Sequence, residues 1–222
     1  MYKDGVATIT LSAFAETLNA KVPMGATPYD IILVMDQSSS MTSYKIGKET
    51  RLAVLERVAK EFVTTVYDSA IENNVDHRVA LVSFSGTKDN YKGTGIIGVN
   101  GTIKTFNKLT SADYASAFIE VKDNLNALKN GIDSLTGISG TSSDYGLQIA
   151  KQILANNQDG REKLVLFITD GEPGDPGRNM GAFNYTVANE AIEYANQIKN
   201  LYGTIPGSER LTFPSATLTC SG

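Results

Sequence analysis

Ile31-Ile32-Leu33-Val34-Met35-Asp36-Gln37-Ser38-Ser39-Ser40 is the stretch on which the reading of this chain turns. Its five consecutive apolar residues have the pattern of a short strand covered on both faces, and so of a strand inside a parallel sheet. The run ends in an acid followed at two-residue intervals by hydroxyls: Asp36, Ser38 and Ser40. Carboxylate and hydroxyl oxygens are hard donors that suit a hard divalent cation, Mg2+ above all, better than zinc or copper. Ser and Asp are also good helix N-caps, so the pentad read alone fits a Ser-rich turn opening a helix equally well.

Outward from this stretch, strand and helix patterns alternate. Residues 7–13 alternate apolar Ala7, Ile9, Leu11 and Ala13 with Thr8, Thr10 and Ser12, as a half-buried strand does; a linker-like stretch with Pro23, Gly25 and Pro28 follows. Between 48 and 72 the residues Leu52, Leu55, Val58, Ala59, Phe62, Val63 and Val66 recur at three and four, predicting a long amphipathic helix. Residues 78–84 form the next strand pattern. Residues 86–110 read as a hairpin with an edge strand near 102–106, turned by Asn100-Gly101. A helix broken in two is predicted over 113–135, and another opens at Gly140-Thr141-Ser142-Ser143-Asp144. Residues 163–169 are a strongly apolar strand ending at Asp170-Gly171, and a last helix spans 187–201.

This alternation predicts an α/β fold: a Rossmann-like, doubly wound, mainly parallel sheet with helices on both faces and one antiparallel edge strand. Ligands of such sheets bind in the crevice outside the carboxyl ends of the strands. Asp36 and Asp170 both fall at strand carboxyl ends, and Thr141 lies in a loop that opens a helix, within reach of the same crevice.

The 222 residues suffice for one sizeable domain with extras. A formal charge of −4 speaks against a nucleic-acid partner, which usually leaves a basic patch. No apolar run reaches about 18 residues, so no segment of this chain is expected to cross a membrane. Cys220 is the only cysteine, which leaves no intrachain disulfide. Met1-Tyr2-Lys3-Asp4-Gly5 lacks the apolar stretch of a secretory signal, and the start reads as a cut: a fragment of a larger protein with an added Met.

Three separated elements occur in order: Asp36-x-Ser38-x-Ser40 after an apolar strand, Gly140-Thr141 opening a helix, and Asp170-Gly171 after Leu166-Phe167-Ile168-Thr169. In these the chain resembles the von Willebrand factor type A domain over roughly residues 29–204. Residues 1–28 are then an N-terminal strand and linker from a preceding region. Residues 205–222 form an atypical tail, where Pro206 and Gly207 interrupt the strand that the family places there. The resemblance implies a metal-ion-dependent adhesion site. Ser38 and Ser40 would coordinate Mg2+ (or Mn2+ or Ca2+) directly, Thr141 directly in the ligand-competent state, and Asp36 and Asp170 mostly through water. One position would stay open for an Asp or Glu carboxylate of a protein ligand. Residues 4–16, 30–41 and 164–175 are further similar to Gram-positive bacterial surface proteins, including pilus-tip adhesins. That similarity implies an extracellular, cell wall-attached or pilus location and a host extracellular-matrix partner. An intracellular type A domain assembling an ATPase-linked multiprotein complex is the alternative.

Enzyme readings fit less well. A phosphatase using Asp36 as phosphoryl acceptor, of the haloacid-dehalogenase type, wants a second Asp two residues on, and position 38 is Ser. A serine hydrolase needs a base, and the only histidine, His77, precedes a strand and so lies at its amino end, opposite the crevice. It reads as a solvated loop residue. Asp144 reads as a first-turn helix acid, and Glu172 and Asp175 as a solvated acidic loop. The sequons at Asn100 and Asn184 match a pattern that is common by chance. The expectation is a binding module, not an enzyme.

Overall fold

The computed structural model describes residues 6–13, 16–23, 27–87, 90–171, 173–174 and 183–202. The first two strands, β1 (Val6–Ala13) and β2 (Glu16–Pro23), pair antiparallel. The second of them replaces the expected linker. Leu18, Ala20 and Val22 alternating with Thr17, Asn19 and Lys21 carry the same period-two pattern as β1, which the nearby Pro23 and Gly25 obscured.

β3 (Tyr29–Asp36) is the central strand and is buried along its whole length. It is followed by the short helix α1 (Ser39–Ser43) and the two-residue strands β4 (Lys45–Ile46) and β5 (Glu49–Thr50), which pair around a turn at Gly47. Gly47 has a φ of 62°, a left-handed conformation that glycine adopts without strain. The long helix α2 (Arg51–Glu72) therefore starts later than its apolar pattern suggested, at Thr50, whose side chain accepts a hydrogen bond from the Ala53 N–H. β6 (Arg78–Phe84) follows, then β7 (Gly95–Ile97) and β8 (Ile103–Thr105).

The helix expected over 113–135 is indeed broken in two. α3 (Ser111–Ala115) opens with a reciprocal Thr110–Asp113 capping box, and β9 (Ile119–Glu120) precedes α4 (Val121–Ile132). α5 (Ser143–Ala155), β10 (Glu162–Ile168) and α6 (Tyr185–Tyr202) complete the described chain.

β3 lies between β10 and β6 and runs parallel to both, Leu33 pairing with Leu166 on one side and Leu81 on the other. β7 then adds antiparallel to β6 and β8 antiparallel to β7, while β9 pairs antiparallel with the start of β6. Because side chains alternate along a strand, β3 feeds two cores. Ile31, Leu33 and Met35 pack with Leu55, Phe62 and Val66 of α2 and Leu128 and Ile132 of α4. Ile32 and Val34 pack with Ile149 and Ile153 of α5. This arrangement is the doubly wound, mainly parallel α/β sheet expected from the sequence.

At the amino ends of the strands, Asp30 is buried and accepts two 2.7 Å hydrogen bonds from Arg78 and one of 2.5 Å from Lys163. These ion pairs tie β3, β6 and β10 together at the end opposite the crevice. His77 belongs to this end, as expected, but it is not solvated: it is fully buried. Its Nδ1 accepts the Tyr29 N–H at 3.1 Å, and its carbonyl accepts the Val121 N–H at 3.0 Å. A polar residue before a strand has the sequence pattern of a loop, whereas here it supplies the acceptor that the first amide of β3 needs.

Burial holds the His77 imidazole below its ordinary pKa, and the charges of Arg161 and Lys122 add to this against the opposing Asp76. A depressed folded-state pKa gives stability that is present above the unfolded value of 6.5 and lost as pH falls through the folded value. Urea unfolding between pH 7.5 and 5 should therefore show a loss of stability in the wild type that is smaller in His77→Asn. Equal losses in the two proteins would refute this role.

Candidate metal centre

β3 leaves the sheet at Asp36, whose carboxylate is fully buried. One oxygen, Oδ1, accepts the Ser38 N–H at 2.7 Å, the turn that an Asp side chain makes with the amide two residues on. The other, Oδ2, accepts the Thr169 hydroxyl at 2.6 Å and so fastens the exit of β3 to the exit of β10. Ser38 Oγ lies 2.8 Å from Ser40 Oγ, and the Ser40 hydroxyl donates to Asp170 Oδ1 at 2.8 Å. Asp170 Oδ2 accepts from Arg51 Nη1 at 2.8 Å. The result is a continuous series of oxygens across the carboxyl ends of two adjacent parallel strands.

The helix-cap explanation of the pentad does not hold. Ser38 occupies the N-cap position of α1, yet its side chain makes no capping hydrogen bond; the hydroxyl turns to Ser40 instead.

Thr141 arrives by another route. Gly140 has a φ of +99°, and a Cβ there would fall 2.1 Å from the Gly86 carbonyl oxygen, so only glycine fits the turn. The Ile138 N–H donates to the Gln37 carbonyl at 2.8 Å, and the Thr141 N–H to the Gly174 carbonyl at 2.8 Å. The loop before α5 is thus stitched to the pentad on one side and to the segment after Asp170 on the other. Side-chain bonds bring Asp36, Ser38, Ser40 and Asp170 together; the backbone of Thr141 pairs with Gly174, four residues beyond Asp170, and not with these four directly.

Three contributors carried little sequence signal. Thr169 is hidden at the end of an apolar run. Gln37 carries no signal of its own in the pentad, but its buried amide donates to the Gly93 carbonyl at 2.5 Å and accepts the Thr136 N–H at 2.9 Å. Arg51 left one clue, a cation at the start of a helix, where the macrodipole favours an anion. Asp144 lies in the first turn of α5 as expected but is buried; burial, with the neighbouring carboxylate of Glu190, pushes its carboxyl up to about 7. Glu172 and Asp175 lie outside the described residues.

Burial pushes the Asp36 carboxyl up to about 6, and the nearby charge of Asp170 adds to the shift against the hydrogen bonds from Thr169 and Ser38. Among the described residues no three His, Cys, Asp or Glu side chains gather. The donor set is therefore two carboxylates with hydroxyls, which fits a hard cation such as Mg2+ or Mn2+ and not a soft one.

A doubly wound sheet with carboxylates and hydroxyls gathered at the carboxyl ends of its central strands places the chain in the α/β class whose ligands bind at that end of the sheet. The sequence profile of the von Willebrand factor type A domain matches residues 30–201, and the chain belongs to that family. Among solved structures it is similar to the PilB minor pilin from Streptococcus sanguinis, with 17% identity, a TM-score of 0.52, and coverage of 81% of this chain and 48% of that one. It is also similar to the vWF domain of the type V pili tip protein Mfa5 from Porphyromonas gingivalis (23% identity, TM-score 0.44, 66% and 39% covered). The pilus adhesin SpaC from Lactobacillus rhamnosus GG is another (23% identity, TM-score 0.47, 66% and 15% covered). The chain spans less than half the length of each. No curated protein matches the sequence significantly.

A raised carboxyl pKa contributes stability that is complete below the unfolded value of 3.8 and lost as pH rises through about 6. Without a cation, the buried charge of Asp36 is thus a burden at neutral pH. Asp36→Asn should stabilise the metal-free protein at pH 7.5 by about 1–2 kcal/mol, less than the full shift implies because the hydrogen bonds are remade imperfectly. Chemical denaturation in chelator measures this, and a destabilised variant would contradict it.

Proposed function

We propose that this domain is a cation-dependent protein-binding module, not an enzyme, from a bacterial surface or pilus protein. The observation that carries the reading is the bonded series Asp36, Ser38, Ser40 and Asp170, linked at 2.7–2.8 Å outside the carboxyl ends of β3 and β10. The Ser38, Ser40 and Thr141 hydroxyls would hold Mg2+ (or Mn2+ or Ca2+) directly, with Asp36 and Asp170 acting mostly through water. A cation bound there supplies an electrophilic centre with one position left for an Asp or Glu carboxylate of a protein partner.

The chain's own residues prepare that centre. Asp36 fixes the Ser38 amide, Gln37 clamps the loops at Gly93 and Thr136, and the Gly140 turn sets the backbone of Thr141. Beside the crevice Tyr44 and Ile46 are 58% and 38% exposed, next to Lys45 and Lys48. Apolar side chains flanked by lysines suit an acidic protein segment. The only histidine lies at the far end of the sheet, so no imidazole serves the crevice hydroxyls as a base. The surface and pilus assignment, with extracellular matrix as a class of partner, follows the resemblance of residues 30–41 and 164–175 to Gram-positive surface proteins. The minor pilin that shares the fold is in keeping with it.

Millimolar Mg2+ should raise the melting temperature of the metal-stripped protein, since a ligand that binds only the folded state stabilises it by RT ln(1 + [L]/Kd), about 2.7 kcal/mol at 100 Kd. Chelator should reverse the rise. The double substitution Ser38→Ala, Ser40→Ala should abolish it while leaving the far-UV circular dichroism native. A wild type indifferent to Mg2+, Mn2+ and Ca2+ alike would refute the proposal.

A further inference from the structure

We propose that Arg51 is a built-in counter-cation of the crevice: it holds Asp170 in place when no metal is bound and weakens the site's affinity for a divalent cation. The inference rests on the cation-binding reading above and adds the residue that sets how tightly the cation is held.

The position of Arg51 is unexplained by its own helix. It is the first residue of the 22-residue α2, where the aligned peptide dipoles disfavour a positive charge, and the first turn of that helix holds no acid. What favours a cation there comes from elsewhere in the chain. Nη1 lies 2.8 Å from Asp170 Oδ2, across 119 residues of sequence. Asp170 has no exposed side-chain surface, whereas Arg51 is 28% exposed. The guanidinium is held over the Tyr44 ring, 4.8 Å from its centroid, and the Arg51 N–H donates to the Tyr44 carbonyl at 3.0 Å. The turn made by β4 and β5 therefore folds back to deliver Arg51 to Asp170.

Both oxygens of Asp170 are engaged, Oδ1 by Ser40 and Oδ2 by Arg51. The Ser40 hydroxyl, one of the proposed direct donors, is thus one carboxylate away from a fixed positive charge. A divalent cation bound at Ser40 shares the field of Asp170 with the guanidinium and is repelled by it. In the metal-free protein the same guanidinium compensates a buried carboxylate that would otherwise stand alone. One residue thereby keeps the empty crevice assembled and limits how strongly it binds metal.

The test is calorimetric titration of Mg2+ into the metal-stripped wild type, Arg51→Gln, Arg51→Lys and Tyr44→Ala, with melting temperatures measured in chelator. Arg51→Gln should bind Mg2+ about tenfold more tightly, with the difference shrinking at high salt. Its metal-free form should melt several degrees lower. Arg51→Lys keeps the charge but loses the planar group that stacks on Tyr44, so its affinity should fall between those of the wild type and Arg51→Gln. Tyr44→Ala, which loosens the guanidinium without touching the oxygens, should tighten binding to an intermediate degree. Unchanged or weaker Mg2+ affinity in Arg51→Gln, or Arg51→Lys behaving like Arg51→Gln, overturns the proposal while leaving the cation site intact. If Arg51→Gln does not fold, Tyr44→Ala decides, and unchanged affinity there overturns it. A wild type that takes up no Mg2+ overturns the cation reading and this inference with it.

Discussion

The crevice depends on one buried charge. Asp36 ends a strand enclosed by β10 and β6 and covered by helices on both faces, so bulk solvent does not reach its carboxylate. A carboxylate in that place needs hydrogen-bond donors from the chain itself. The Ser38 amide and the Thr169 hydroxyl provide them, and in doing so they fix the turn after β3 and join it to the end of β10. The Ser38–Ser40–Asp170 series follows from that geometry, and Gln37 and the Gly140 turn bring the loop of Thr141 alongside.

The same strand carries a second buried carboxylate at its other end, and the contrast is instructive. Asp30 is surrounded by cations, receiving Arg78 and Lys163 and lying 4.0 Å from Arg161. Asp36 has hydroxyl and amide donors and the negative Asp170 nearby, and its carboxyl is pushed up to about 6. One end of the strand is electrostatically complete and serves the fold. The other has an excess of negative charge, partly offset by Arg51, and natural proteins concentrate such local disagreement at functional sites.

Much of this was legible in the sequence where a period was strong. β3, β6 and β10 were visible as apolar runs, and α2 and α5 as apolar residues at helical spacing; the helix over 113–135 was read as broken in two. The short pieces were not: β4, β5 and β9 have two residues each, too few for any period to register. The site divided along the same line. Asp36, Ser38, Ser40 and Asp170 announced themselves by chemistry at strand ends. Thr169 and Arg51 act through contacts spanning 133 and 119 residues, which no local pattern encodes. The burial of His77 has no local signal, because it depends on what packs beside the strand, here Tyr29 and the start of α4.

Fold and family membership frame the proposed cation site, where Asp36, Ser38, Ser40 and Asp170 meet at the carboxyl ends of β3 and β10 and the Arg51 guanidinium lies over the exposed Tyr44. The most direct measurement is a crystal structure of the domain grown with Mn2+ and recorded near the manganese absorption edge. The expected result is an anomalous peak at bonding distance from the Ser38 and Ser40 hydroxyls, with Thr141 turned toward it and Asp36 and Asp170 around it. Crystals bathed in millimolar Mn2+ that show no peak there, with the Ser40–Asp170 hydrogen bond still in place, would contradict it.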